Sequence, residues 1–284
     1  MIPRANDLGQ RAGTPRRTKL AALFNEGLAD VSAAARNYHV AVVFGWQDIA
    51  QRYRRSKVGA FWITISVAVM IGMLSLLFGA LFRAPLHEFL PFVALGIILW
   101  TFIASMLTEG CTAFIEASGM ILQTRLPLFT HILRITWRNL IILGHNLIIV
   151  PIVLTVMLRF PEPVWLLALP GFALVLINVT WMSLLLAIFS TRFRDITQAI
   201  QSLIQIAFFT TPIMWMPQTL SERAPQALIE LNPFFHLLSL VRSPLLGHSP
   251  SVNSWLICIG LAVTGWVATL MIFGRFRWRL PYWL

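Results

Sequence analysis

The chain has 284 residues, of which 57% are hydrophobic and 12% charged, with a formal net charge of +11 and a mean hydropathy of +0.75. That leaves too little polar surface to cover a water-soluble globule of this length, so the composition points to an integral membrane protein, which its apolar runs near twenty residues make all-α. The basic excess does not indicate nucleic acid, because the Lys and Arg residues cluster at the ends of apolar runs instead of forming a soluble basic domain.

From the N-terminus, residues 1–36 are rich in Arg, Lys, Ala and Gly and lack the apolar core of a signal peptide. They read as a mobile basic cytoplasmic tail leading into a short helix. Residues 37–58 read as an amphipathic interfacial helix. At about 100° per residue, Val42, Val43, Trp46, Ile49, Ala50 and Tyr53 share one stripe, while Gln47, Asp48, Gln51, Arg52, Arg54 and Arg55 cover the rest. Such a helix sinks its apolar face to the headgroup boundary and leaves its cations with lipid phosphates. Arg52, Arg54, Arg55 and Lys57 stop at Gly59, where a long uncharged run begins. They serve at least as an anchor, and as a gate for an anionic lipid-linked substrate if other features support one.

Residues 59–275 hold six apolar runs near the length that crosses ~30 Å of hydrocarbon. They lie near Phe61–Phe82, 89–108, 132–158, 164–189, 196–215 and 254–273, followed by a cytoplasmic C-terminus at 276–284. With both termini inside, the inner segments take the ten basic residues of positions 1–57 and Arg125, Arg134, Arg138, Arg192, Arg194, Arg275, Arg277 and Arg279. Arg83, Arg159, Arg223 and Arg242 are left outside. Eighteen against four of the 22 basic residues fixes this orientation. Cys111 and Cys258 then fall near opposite faces and read as packing residues, with no disulfide or metal site.

Two connections are longer than a turn. Residues 109–126 carry two carboxylates and a Gly before Pro127 and can form a short amphipathic helix on the cytoplasmic face. Residues 216–253 hold two short apolar pieces, 227–231 and 234–241, the second introduced by Asn232-Pro233, a good N-cap with proline at N1. Pieces of this length dip into the membrane and return, or lie flat.

Within the spans, Gln198, Gln201, Ser202 and Gln205 line one face of the fifth, and Phe209 continues the stripe. The third span carries Asn139, His145 and Asn146, and the fourth carries Asn178 and Thr180. Buried amides face other helices or a wet cavity. The glutamine stripe suits a path for a polyhydroxylated substrate, since amides donate and accept and aromatic faces pack on apolar ones; interhelical bonding is the alternative, and packing is the reading favoured for His145. No Asp or Glu falls at a span centre: Glu109, Glu116 and Asp195 lie at the inner face, and Glu88, Glu162, Glu222 and Glu230 lie outside. A carrier driven by protons or sodium needs such a group. The chain has no phosphate-binding GxxxxGK[ST] loop, so ATP-driven transport requires a separate ATPase.

RYRRSKVGAFW at 52–62, MILQTRLPLFTHILRI at 120–135, STRFRDITQ at 190–198, TTPIMW at 210–215 and LNPFFHLLSLVRSPLLG at 231–247 together resemble, in order, the permeases of ABC-2 type polysaccharide exporters. The resemblance covers roughly residues 40–280. It implies six transmembrane helices with an N-terminal interfacial gate helix and two short re-entrant helices between spans five and six. It also implies a homodimer in the bacterial inner membrane, exporting a lipid-linked polysaccharide of O-antigen, capsule or teichoic acid type, for example on polyprenyl pyrophosphate. Two copies of a separate ABC ATPase would hold the ATP and Mg, and this chain would bind no cofactor. By position, Trp46, Arg52, Tyr53, Arg54, Arg55 and Lys57 correspond to the gate and headgroup site. Gln198, Gln201, Gln205, Phe209, His145 and Asn146 fall to the translocation path. Glu109, Phe114, Glu116, Met120, Arg125 and Arg194 fall to the ATPase-coupling region. The sequence departs in the Arg-rich leader at 1–36 and in a loose match at Thr124–Pro127. A permease for a drug or small lipid is the alternative within the family, and an intramembrane lipid-modifying enzyme the alternative outside it.

Overall fold

The computed structural model describes residues 16–54, 59, 61–158, 160–217 and 229–284. Residues 1–15, Arg55, Lys57, Arg159, Glu222, Arg223 and residues 227–228 of the first short apolar piece lie outside the described residues. Among the described residues every regular element is helical: α1 Arg16–Arg36, α2 Tyr38–Tyr53, α3 Phe61–Phe82, α4 Leu86–Glu116, α5 Ser118–Gln123, α6 Phe129–Asn146, α7 Ile149–Val156, a 3₁₀ turn Pro163–Leu167 running into α8 Ala168–Arg192, α9 Asp195–Thr210, α10 Pro233–Leu245, α11 Val252–Phe276 and α12 Leu280–Trp283.

Among the described residues, five stretches are long and apolar enough to cross a membrane: α3, α4, α6 with α7, the 3₁₀ turn with α8, and α11. The expected span at 196–215 is instead the 16-residue α9, about 24 Å long at 1.5 Å per residue. Its helix stops because Thr211 precedes Pro212 and takes extended angles. The chain continues as a buried non-helical segment, with Thr211 and Ile213 fully enclosed.

α4 is the centre of the bundle, packed by α8, α6, α3, α9 and α10. Its apolar stretch is 78% buried, against 22% for α3, which is apolar all round. Leu95, Ile97, Ile98, Ile103, Met106 and Phe114 of α4 are shut off from the surface. Trp100 also lies inside, its ring against Phe208 at 5.9 Å and Phe234 at 5.5 Å. The third span is broken between α6 and α7 because Pro151 lacks an N–H and its ring crowds the carbonyl of Leu147.

α10 begins as Asn232-Pro233 predicts: the Asn232 side chain accepts the Phe234 N–H at 2.9 Å and donates to Thr211 Oγ1 at 2.8 Å. Arg242, expected on the outer surface, is enclosed in α10. It donates to the Pro212 carbonyl at 2.6 Å and its guanidinium lies 3.9 Å from the centre of the Phe92 ring. These contacts fasten the segment after α9 to α10.

Where a mobile tail is expected, residues from Arg16 onward form α1, docked on α11 and α6. The crossing with α11 depends on two glycines. Any side chain at Gly274 would run into the Leu23 carbonyl, and any at Gly27 into that of Leu270. Arg277 adds a bond to the Glu26 carbonyl at 2.8 Å. Asp30 caps α6, its carboxylate accepting the N–H groups of Phe129 at 3.0 Å and Leu128 at 3.3 Å. Burial pushes this carboxyl above its ordinary range, while those two bonds and the nearby Arg277 pull it back. Asp30→Ala removes the cap and lowers stability by about 1–2 kcal/mol, read as a fall in the melting temperature of the purified chain.

Candidate functional site

Arg134 and Arg138 are one turn apart on α6 and therefore share a face. Opposite them, α2 approaches closely at Gly45, where an added methyl group would sit 2.9 Å from the Arg134 carbonyl oxygen and 3.1 Å from the Trp137 ring. That closeness brings Asp48 onto both guanidinium groups. Arg134 grips it with two donors, Nε at 2.7 Å and Nη2, and Arg138 Nη1 donates to it at 3.1 Å. On its other side Arg138 donates to Glu109 of α4 through Nη2 at 2.8 Å and Nε at 3.2 Å. Asn139 Nδ2 donates to the same Glu109 oxygen at 2.6 Å.

The cluster holds two positive and two negative groups, so no net charge is buried. Side-chain exposure runs from 7% for Arg138 to 15% for Asp48, 22% for Glu109 and 25% for Arg134. In so dry a place each charge depends on its partner. The arrangement joins α2 to α6 and α6 to the end of α4.

The face of α2 that meets the protein is Ala41, Gly45 and Ile49, not the apolar stripe expected to sink into lipid. Of that stripe only Ile49 is buried; Val43, Trp46 and Ala50 are exposed, and Val42 and Tyr53 half-buried. Asp48, expected among the headgroups, is in the charge cluster. Arg52 and Arg54 are exposed at the end of α2.

The six residues expected to line a path do not come together. Gln198, Gln201, Gln205 and Phe209 are exposed along α9, a helix with no buried residue. His145 and Asn146 are on α6. His145 donates through Nδ1 to the Ile141 carbonyl at 2.8 Å and meets the Phe61 ring edge-on. Asn146 is buried and lines a small cavity with Thr101, Ser105 and Asn139.

The separate helix expected over 109–126 is also revised. Residues 109–116 complete α4, and only Ser118–Gln123 form a short helix of their own, α5. Glu109 is consequently in the charge cluster and Phe114 in the core. Glu116, Arg125 and Arg194 are exposed and Met120 half-buried; Glu116 accepts a hydrogen bond from Thr112 at 2.7 Å. Sequence reasoning missed the cluster although it contained the signal: two arginines inside an expected span require acidic partners.

Residues 40–246, from α2 to the end of α10, match the family model described as ABC-2 type transporter. The chain belongs to the ABC-2 type transporter family. This ABC-2 type transporter is similar to the O-antigen export system permease protein RfbA of Myxococcus xanthus, with 23% identity over 198 residues, 68% of this chain and 75% of the relative. It is also similar to O-antigen export system permease proteins RfbA of Klebsiella pneumoniae. One is 23% identical over 250 residues and another 22% over 249, each match covering 85% of this chain and 93% of the relative. The family match contains all five residues of the charge cluster, while α1 and α11 lie outside it.

Proposed function

We propose that the chain is the transmembrane channel subunit of an ATP-driven exporter carrying a lipid-linked polysaccharide, of the O-antigen or capsule type, from the cytoplasm across the inner membrane. The observation that carries this reading is α9, which exposes Gln198, Gln201, Gln205 and Phe209 along a 16-residue helix without one buried residue. Three amides cannot face hydrocarbon without large cost. Two copies of the chain turning these faces toward each other enclose a path lined by groups that donate and accept, with an aromatic surface for the apolar faces of sugars. The names of the relatives supply the substrate class.

The other roles follow from position. Arg52 and Arg54, with Arg55 and Lys57 next in sequence, attract the anionic headgroup of the lipid carrier by about 1 kcal/mol per charge, and Trp46 and Tyr53 border its aqueous side. The basic ends of the spans face the cytoplasm. There α5, the loop through Arg125, Glu116, Met120 and the α8–α9 turn at Arg194 meet two copies of a separate ABC ATPase, which holds ATP and Mg.

A cleft of about 780 Å³ between α8, α9 and the start of α10, lined by Leu107, Trp181, Ile204 and Phe234 among others, favours a second reading as an exporter of a small apolar molecule. The test is to delete the gene, follow polymer at the cell surface, and identify what co-purifies with the tagged chain in mild detergent. Loss of surface polymer together with a stoichiometric subunit bearing a phosphate loop supports the proposal. Normal polymer overturns it, and normal polymer with heightened sensitivity to apolar drugs selects the second reading.

A further inference from the structure

The charge cluster is more than a local brace, because of where α6 begins. The loop after α5 ends at Leu128, and the next residue starts α6. From Phe129 to Arg134 is about 8 Å, and to Arg138 about 14 Å, along a continuous helix at 1.5 Å per residue. The first turn of that helix is held by Asp30, and the next two hold α2 through Asp48 and α4 through Glu109. Every ion pair of the cluster has one end on α6.

The two attachments differ. α2 is fixed to α6 by three hydrogen bonds onto one carboxylate and by the close approach at Gly45. α4 is fixed to it by Arg138 and Asn139 converging on a single oxygen of Glu109. Asp48 keeps both oxygens bound by Arg134 even if Arg138 lets go, so the α2–α6 attachment survives motion of α4.

We infer that the interfacial helix α2 and the first three turns of α6 move as one body, with Asp48, Arg134 and Arg138 as positioning residues that carry displacement of the α5–α6 loop to α2. This rests on the transport reading above: a push on the loop by the ATPase shifts the helix that admits the substrate, with no need for a contact between ATPase and α2. Glu109 plays a different part, steadying α6 against α4, and its loss leaves the α2–α6 body intact.

The test places nitroxide labels at two exposed positions, Gln47→Cys on α2 and Gln123→Cys at the end of α5, in the full chain extracted with its ATPase. Distances are measured without nucleotide and with ATP trapped by vanadate. One narrow distance, unchanged between the states, is expected, as is the same result in Glu109→Gln. Asp48→Asn should broaden it, and Asp48→Glu should restore it. Asp48→Asn should also lower polymer exported per ATP hydrolysed roughly tenfold, while hydrolysis stays within about twofold. A distance that shifts with nucleotide in the unmodified cluster overturns the inference. So does a distribution that stays narrow in Asp48→Asn, or hydrolysis and export falling together. If no ATPase is recovered, the transport reading fails separately, and the distances in the chain alone still decide whether α2 is held to the α5–α6 loop.

Discussion

Changing Gln198, Gln201 and Gln205 together to Leu reduces export by about tenfold or more, with normal amounts of chain in the membrane and normal recovery of the ATPase. Each amide lost from a path costs a hydrogen-bonded step for the passing sugar, about 0.5–1.5 kcal/mol apiece, and three in a row compound the barrier. The substitution is informative because its structural cost is small. All three side chains are exposed on α9 and hold no other element in place. Were that face turned to lipid, leucine would stabilise the protein and leave export untouched; were it glue between copies, leucine would loosen the assembly before it affected transport. Polymer at the cell surface, measured beside native-gel mobility, separates the three outcomes.

The second large effect is on stability. Arg138→Leu leaves Asp48 with Arg134 but strips Glu109 of its only ion-pair partner among the described residues, in a site where the arginine side chain is 7% exposed. Removing one member of a buried pair costs about 3–5 kcal/mol. Lysine at the same position keeps the charge but cannot reach two carboxylates at once, so it should recover only part of the loss. The double change Arg138→Leu with Glu109→Leu should be milder than Arg138→Leu alone, since no orphaned charge remains. Thermal unfolding of the three purified variants in detergent orders them, and equal melting temperatures for Arg138→Leu and the unmodified chain would contradict the burial argument.

Hydropathy made most of the bundle legible. The uncharged run alone bounds the first span at Phe61–Phe82, and one capping pair marks the start of α10, because run length and caps are local properties. The end of the fifth apolar run differs for an instructive reason, since the helix there stops at Thr210. The residues from Pro212 to Met214 are apolar and buried, and apolarity marks burial without saying that the buried chain is helical. Pro212 held the missing information. The interior of α1 was unreadable because its contacts are made by Gly27 and Ala34, small residues that carry no apolar signal and matter only against α11 and α6. Arg134 and Arg138 were counted toward orientation, a one-dimensional use of charge. Their partners are separated from them by 86 and 90 positions for Asp48 and 29 for Glu109, and no spacing rule reaches so far. Of the residues expected at the site, those on α9 and Glu116, Arg125 and Arg194 are exposed, whereas Phe114 and Asn146 are interior and Glu109 belongs to the cluster.

The bareness of α9 bears also on how the cell accounts for the protein. If α9 faces a second copy within the membrane, as proposed, a lone protomer presents three amides to the bilayer without that partner, and its own chemistry marks it as unassembled. Such a marker lets membrane proteases distinguish surplus subunits from finished ones without any dedicated tag. It also means that overproducing this chain alone should give short-lived material whose lifetime lengthens when its partners are supplied in matching amount.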